Sequence, residues 1–521
     1  MVRSAGMPLS RRDFLLSASS AVALAACSSS GSSSTSKGTT TSRTPAPPAV
    51  PLPGGPFTLG VASGDPAPGS VVLWTRLAPT PTSGGGMPEE DVSVVWEVAT
   101  DDAFADVVAS GEVTAEPRHA HSVHVIADGL SDGVDYRYRF RVAGFTSPTG
   151  RTRTPPAGDA SSLHFAFASC QDFQDGFWPA HTHLAEEDLD LVVWLGDYIY
   201  EGAVNQNAVR QHDGPEPTTI DGYRNRYGLY KSELNLQAAH AARPWLIVWD
   251  DHEVDNNYAG DSSQDSVAVD EFLARRAAAY QAWWEHMPVR LDPPTGPTFE
   301  INRVLEWGGL ASFFAIDTRQ HRANQACARA SDVGEVCPEV DDPSRQMLGA
   351  DQEAWLTERM PASSATWNVL ANQVIFSPSP ISLGGTTVLN FDQWDGYPAA
   401  RTRVLEVLAR TRNPVIITGD IHASAVADVR KDDSVVAVEF VGTSVSSSFP
   451  ATLVSFFESA ATASGALMAD ARHRGYVRCN VTPTSFTADY RVVESTTAPS
   501  SPISTASSFV VTAGRPGVRK A

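Results

Sequence analysis

Leu189-Asp190-Leu191-Val192-Val193-Trp194-Leu195-Gly196-Asp197-Tyr198-Ile199-Tyr200-Glu201 is the stretch that decides the fold of this chain. Its first seven residues are apolar but for one aspartate, the composition of a strand covered on both faces in a layered α/β protein. The run breaks at a glycine, where backbone can approach a ligand closely, and opens into Asp197 and Tyr200. Three more apolar runs end in clusters of ligand-type side chains. Leu163–Ala168 leads into Ser169-Cys170-Gln171-Asp172, and Trp245–Trp249 into Asp250-Asp251-His252-Glu253-Val254-Asp255-Asn256-Asn257. Val415–Thr418 leads into Gly419-Asp420-Ile421-His422. In such proteins the loops at strand C-termini converge while the strands hold them rigid, so four endings rich in ligand-type side chains predict one shared site.

Around these strands the spacing predicts helices over Trp178–Asp188 and Val267–His286, with Trp283-Trp284 in the core. Further strands are expected at Ala311–Ile316, Asn368–Val374 and Val435–Gly442, the last at the edge of a second sheet. Upstream the texture differs. Short runs at Val71–Thr75, Val92–Val98 and Val123–Ile126 alternate with Gly, Pro and Asp turns, and Tyr136–Val142 alternates strictly between apolar and arginine. Residues 54–156 are read as a small β-sandwich of fibronectin-III type, followed by an α/β catalytic domain over 160–521. Residues 28–53 are dominated by Ser, Thr, Gly and Pro, a flexible linker. Residues 1–27 carry Arg11-Arg12 ahead of an apolar run too short to span a bilayer, closing on Leu24-Ala25-Ala26-Cys27. That pattern resembles a twin-arginine (Tat) signal with a lipobox, making Cys27 the anchor candidate.

Acidic residues outnumber basic ones, 60 to 39, for a formal charge of −21 over 521 residues. Such a chain repels polyanions, which excludes nucleic acid as a general partner. Cys327 and Cys337, ten apart in a loop-like stretch of an exported protein, are expected to form a disulfide. Cys479 lies in a strand-like run and reads as a buried apolar residue.

The residue types at the strand ends have a common chemistry. Asp197 can bridge two cations and His422 offers a neutral nitrogen. Cys170 and Tyr200, as thiolate and phenolate, are strongly donating anions that suit ferric iron, whereas Asp251, Asn257 and Asp420 suit a hard cation such as Ca²⁺. With these residues in this order, the chain resembles the calcineurin-like metallophosphoesterases. More narrowly it is similar to the PhoD-type alkaline phosphatases, through Ser169-Cys170-Gln171, Gly196–Glu201, Asp250–Asn257, Asp317-Thr318-Arg319-Gln320, Ala371-Asn372-Gln373 and Gly419–His422. Phe57–Pro66 and Val72–Arg76 resemble that family's N-terminal β domain, so the likeness covers nearly the whole chain; Asp255 and Tyr258 stand where relatives often have glutamate and tryptophan.

The resemblance implies a four-layer αββα metallophosphoesterase core preceded by the fibronectin-III-like sandwich. It implies Fe³⁺ on Cys170, Asp197, Tyr200 and His422, and one or two Ca²⁺ on Asp197, Asp251, Asn257 and Asp420. Arg319 would grip the substrate phosphate, His252 would hydrogen-bond the substrate or leaving oxygen, and Asn372 would stand at the cluster's edge. Phosphate monoesters or diesters would be hydrolysed by metal-activated hydroxide, outside the cytoplasm after Tat export, by a monomer that touches the membrane only through Cys27. Two alternatives stay open: a phospholipase D-like phosphodiesterase acting on phospholipids, and an envelope lipoprotein that is a binding module with a structural metal. His119, His121 and His124 are read as strand decoration rather than a zinc site, with 119 and 121 on one strand face. His181 and His183 are placed on a helix surface, and Ser444–Ser448 lacks the Gly-x-Ser-x-Gly elbow of a serine hydrolase.

Overall fold

The computed structural model describes residues 52–327, 332–383 and 385–521. The signal with Cys27 and nearly all of the linker therefore lie outside the described residues.

Two sheets form the centre. The larger has ten strands in the order Arg515–Lys520, Ile503–Thr512, Ser485–Val493, Arg474–Val481, Leu163–Ala168, Leu191–Leu195, Pro244–Val248, Val61–Ala67, Ser70–Arg76, Ser122–Ala127. The smaller has seven: Arg303–Trp307, Ala311–Ala315, Trp367–Ala371, Pro414–Thr418, Ser434–Val441, Ser424–Lys431, Met468–Asp470. Strand sequence explains the layering. Neighbouring residues on a strand face opposite ways, so a strand apolar at every position must be covered twice. Phe313, Val369 and Ile417 enter the core between the sheets, while their neighbours Phe314, Leu370 and Ile416 pack under the helices Ala350–Ala362 and Pro398–Leu408. Across the inter-sheet core Phe165 meets Phe313 edge-on at 5.1 Å and Phe440 stacks on Phe486 at 5.8 Å. Helices Pro179–Glu186, Ile220–Lys231, Leu234–Ala242 and Val269–His286 cover the outside of the larger sheet, where Trp249 stacks on Tyr280 at 4.2 Å. This is the four-layer αββα arrangement. Val192, Val193, Trp194 and Leu195 are each no more than 1% exposed, and each such side chain contributes about 1.5–3 kcal/mol by burial.

Register brings the strand ends together. Trp194 pairs with Ala168 and Leu195 with Val248, so the loops starting at Ser169, Gly196 and Trp249 leave one edge side by side. In the smaller sheet Ala371 lies between Ala315 and Ile417, which aligns the loops after Ile316, Asn372 and Thr418.

The N-terminal sandwich shares a sheet with this core. Its own sheet is Val107–Ala115, Val92–Ala99, Asp135–Val142 and Phe145–Thr146, with Gly150–Arg153 alongside. It closes over Val61, Val71, Leu73, Val123 and Val125 with Tyr136, Tyr138 and Phe140, the buried side of the alternating strand. The facing strands are the last three of the ten-stranded sheet, joined through the parallel pairs Ser63–Pro244 and Gly64–Trp245. Asp65 fastens the seam, accepting from the Arg303 guanidinium at 2.9 Å and from Arg290 N–H at 2.8 Å.

Three expectations need correction. Ser434–Val441 lies inside the smaller sheet, between Pro414–Thr418 and Ser424–Lys431, and not at its edge. Pro117–His119 is a 3-10 turn and Ala120 and His121 are left-handed, so His119 and His121 share no strand face. His181 is buried, bonded to Gln171 at 2.7 Å, because its helix lies on the sheet at that point. The Cys327–Cys337 disulfide is present, and Cys479 is buried in its strand. Among the described residues no helix is long and apolar enough to cross a membrane.

Candidate metal centre

The ligand-type residues sit in the loops that follow the strand ends. Gly196 has φ +108°, and a Cβ there would lie 2.4 Å from Asp250 Cβ, so only glycine allows the two loops to touch. Cys170, Asp197, Asn257, Asp420 and His422, five of the seven predicted ligands, hold left-handed backbone. That conformation costs an L-residue about 1–2 kcal/mol and concentrates at functional sites. Glu253 braces two of the loops together, accepting from the backbone N–H groups of Asp197, Tyr198 and Asp250.

The side chains meet in overlapping groups. Ligand atoms of Cys170, Asp197 and His422 lie within 4.8 Å of one another, as do those of Asp197, Asp251 and His252, and those of Asp250, Asp251 and Asp420. Asp197 is common to the first two groups and Asp251 to the last two. Tyr200 closes the first: its hydroxyl donates to Asp197 Oδ2 at 2.8 Å and lies 2.9 Å from His422 Nε2. His422 Nδ1 is 3.0 Å from the Ser448 carbonyl. A carbonyl only accepts, so Nδ1 carries the hydrogen and Nε2 turns its lone pair to the cluster, as a metal-ligating histidine requires. Ser447 Oγ donates to Tyr200 Oη at 2.8 Å.

In the other half Asn257 N–H donates to Asp251 Oδ2 at 2.7 Å and Gln393 Nε2 donates to Asp420 Oδ2 at 2.7 Å. Asp197 Oδ1 and Asp251 Oδ1 are buried without a hydrogen-bond donor. Asp250 Oδ2 is left without a donor likewise, and the Arg319 guanidinium stands 3.4 Å from Asp251 Oδ1. Buried carboxylate oxygens are normally satisfied, so this group of orphaned oxygens is where a cation fits. His252 Nδ1 is held by Glu201 Oε2 at 2.7 Å, and its ring lies over Tyr200 at 4.0 Å. These residues open onto a cleft of about 380 Å³ also lined by His212, Asp255 and Asp172.

Electrostatics follow from crowding acids in a dry place. Burial raises the Asp197 carboxyl well above its usual range; His252 opposes this and Asp251 adds to it. Burial, then Asp197, raises the Cys170 thiol and the Tyr200 phenol. Asp420 is raised to about 6 by burial against the pull of Arg319, and His422 falls to about 4 by burial. Asp251 is drawn the other way, because Arg319 and His252 outweigh its burial. For His252, burial is outweighed by Glu201, Asp251 and Asp197, which lift the imidazole well above its normal range. A cluster that retains protons in this way exchanges them for cations when these bind.

Arg319 is fully buried. It pairs with Asp250, with Asp392 at 2.8 Å, and with Asp251 and Asp420 at 3.4 Å. In this arrangement its guanidinium faces four carboxylates. The Asn372 amide is engaged by Trp394, Val374 and Thr418, the last lying two residues ahead of Asp420. His124 stacks on Trp284 at 4.2 Å and bonds the Met287 carbonyl, and His121 bonds the Glu90 carbonyl, which accounts for those rings without a metal. Sequence reasoning missed the supports Glu201, Glu253, Asp392 and Gln393, together with Ser447 and Ser448. Glu201 and Glu253 lay inside the quoted loops, and their signal was a carboxylate within reach of a ligand-bearing turn. Ser447 and Ser448 follow the strand beside Pro414–Thr418, and that adjacency is tertiary.

Two sheets back to back carry a mixed sulfur, phenol, imidazole and carboxylate cluster at their strand ends, and the relatives of this chain put it in the class of phosphoric ester hydrolases. Residues 165–490 match the PhoD-like phosphatase family and residues 44–156 match its PhoD-like phosphatase, N-terminal domain. The chain is 45% identical over 488 residues to alkaline phosphatase D of Bacillus subtilis (strain 168), covering 89% of this chain and 82% of that protein. The solved "Structure of PhoD" superposes with a TM-score of 0.86 at 44% identity, over 91% of this chain and 93% of that one. The chain belongs to the PhoD-like phosphatase family.

Proposed function

We propose that the chain is a metal-dependent phosphatase of phosphate monoesters and diesters, exported by the Tat route and tethered through Cys27. The observation that carries the metal reading is the pair of buried, donor-less oxygens on Asp197 and Asp251 within a cluster of mixed donors. The donor set divides by chemistry: Cys170, Tyr200, His422 and Asp197 would hold Fe³⁺, and Asp197, Asp251, Asn257 and Asp420 would hold Ca²⁺. Bound there, the cations would neutralise the phosphate and acidify water near neutral pH. Export rests on Arg11-Arg12 and the Leu24–Cys27 segment.

The chain's own residues supply the rest. Glu201 holds His252 Nδ1–H, which leaves Nε2–H to hydrogen-bond the leaving oxygen and hand it a proton. Arg319 acts from behind the cluster, aligning Asp251 and Asp420 so that their carboxylates do not repel one another apart. Glu253 keeps Asp197 and Asp250 in register through three backbone N–H groups.

The test is hydrolysis of p-nitrophenyl phosphate, bis-p-nitrophenyl phosphate and phosphatidylcholine, with Ca²⁺ and with chelator, by wild type and Asp197→Asn. Turnover of the two nitrophenyl esters that chelator abolishes, and that Asp197→Asn lacks, is expected. Full turnover by Asp197→Asn would overturn the assignment. Preference for phosphatidylcholine would redirect it to a phospholipase, and inactivity with metals bound would redirect it to a binding module.

A further inference from the structure

Asn257 is gripped from two sides by one short stretch of chain. Gln325 Nε2 donates to the Asn257 carbonyl at 2.7 Å, and Asn257 Nδ2 donates to Asp332 Oδ2 at 2.5 Å. A carboxylate only accepts, so Asp332 draws the NH₂ end of the amide and thereby aims Oδ1 elsewhere. The Asn257 backbone N–H is meanwhile bonded to Asp251 Oδ2, which places residue 257 at the donor-less corner of the cluster.

The Cys327–Cys337 disulfide closes the ring that contains Asp332 and begins two residues after Gln325. Backbone bonds reach Asp332 as well. Its carbonyl accepts from Phe391 N–H at 2.6 Å, and the strand that follows, Val333–Glu335, pairs with Thr386–Asn390 over three residues. The disulfide also sits in a small satellite core of Ala326, Val340 and Phe391, separate from the main ones. Covalent closure of this kind restricts the conformations open to the loop.

We propose that Asp332 is a positioning residue for the calcium half of the site, acting through the Asn257 amide, and that the Cys327–Cys337 disulfide holds it there. Thiol reduction then weakens calcium binding. The inference rests on the metal reading above. The redox step balances: a dithiol gives two electrons and two protons to the Cys327–Cys337 bond, leaving two cysteine thiols and becoming a disulfide itself. Losing a group that orients a metal ligand costs about 10–100-fold in metal affinity.

The test is calorimetric titration of Ca²⁺ into the full chain, stripped of calcium but retaining iron, with circular dichroism and the visible iron–phenolate absorption recorded alongside. Asp332→Ala is expected to weaken calcium binding about 10–100-fold with both spectra unchanged, a pattern that general loosening would not give. Asp332→Asn keeps an acceptor oxygen and is expected to retain most of the affinity. Dithiothreitol, and separately Cys327→Ser with Cys337→Ser, should reproduce the loss in wild type and add nothing to Asp332→Ala. Unchanged affinity in Asp332→Ala, or losses that add, would overturn the proposal. A wild type that binds no calcium would instead overturn the metal reading beneath it.

Discussion

Replacing Gly196 by alanine puts one methyl group between the two halves of the site. Gly196 has φ +108°, a region open to glycine and costly for any other residue by about 1–3 kcal/mol. The new Cβ would also lie 2.4 Å from Asp250 Cβ and 2.7 Å from Asp250 N. Neither contact can be relieved by a rotamer change, so overpacking adds about 1–3 kcal/mol more. The combined loss is about 4 kcal/mol, drawn from a total that for ordinary domains is about 5–15 kcal/mol. To fit, the Gly196-Asp197 turn or the Asp250-Asp251 turn must shift by about 1 Å, and a misplacement of that size costs about 10²-fold in rate. Urea unfolding and kcat/KM on p-nitrophenyl phosphate measure both effects. Gly158→Ala, where the added Cβ meets nothing within 4 Å, is the control. If Gly196→Ala unfolded and turned over like that control, the claim that these two loops are locked in contact would be refuted.

Lys231 is buried against Trp74 and Tyr198, and desolvation lowers its pKa to about 7 from the usual 10.5. Because the unfolded chain keeps this proton up to the higher value, the burial penalty of about 5 kcal/mol is complete below pH 7 and fades as pH rises toward 10.5. Lys231→Met should therefore stabilise the protein most at pH 6–7 and little near pH 10.5; equal effects at both, read from urea midpoints, would contradict this. Asp65→Ala strips the Arg303 guanidinium and the Arg290 N–H of their partner at the seam between sandwich and core. Breaking a buried pair on one side costs about 3–5 kcal/mol, so a clear fall in the unfolding midpoint is expected, and none would mean the seam is held elsewhere.

The parts of this protein that were readable in sequence are those set by local pattern. Leu191–Leu195 is apolar at every position, and that alone told of a strand covered twice. The left-handed turns at Asp197 and Asp420 each follow a glycine, which marked where a ligand could be approached. What could not be read was pairing between distant segments. The substrate role of Arg319 comes from family resemblance alone, and no local pattern speaks to its surroundings. Its real neighbours, Asp250, Asp251, Asp392 and Asp420, come from four separate loops, and only the packing of two sheets makes them a cage. His181 had a surface pattern yet lies under Trp194 and Trp245. The joining of Val61–Ala67 to Pro244–Val248 is a parallel pairing across most of 180 residues, with no turn between them to announce it.

The central claim is that Asp197 joins two cations of different chemistry. Elemental analysis of the full chain purified through its own export route, beside Asp197→Asn treated identically, tests it most directly. Iron and calcium together in wild type, both lost from Asp197→Asn, is the expected result. A single kind of metal in wild type, or a variant that keeps iron and calcium at wild-type amounts, would contradict it.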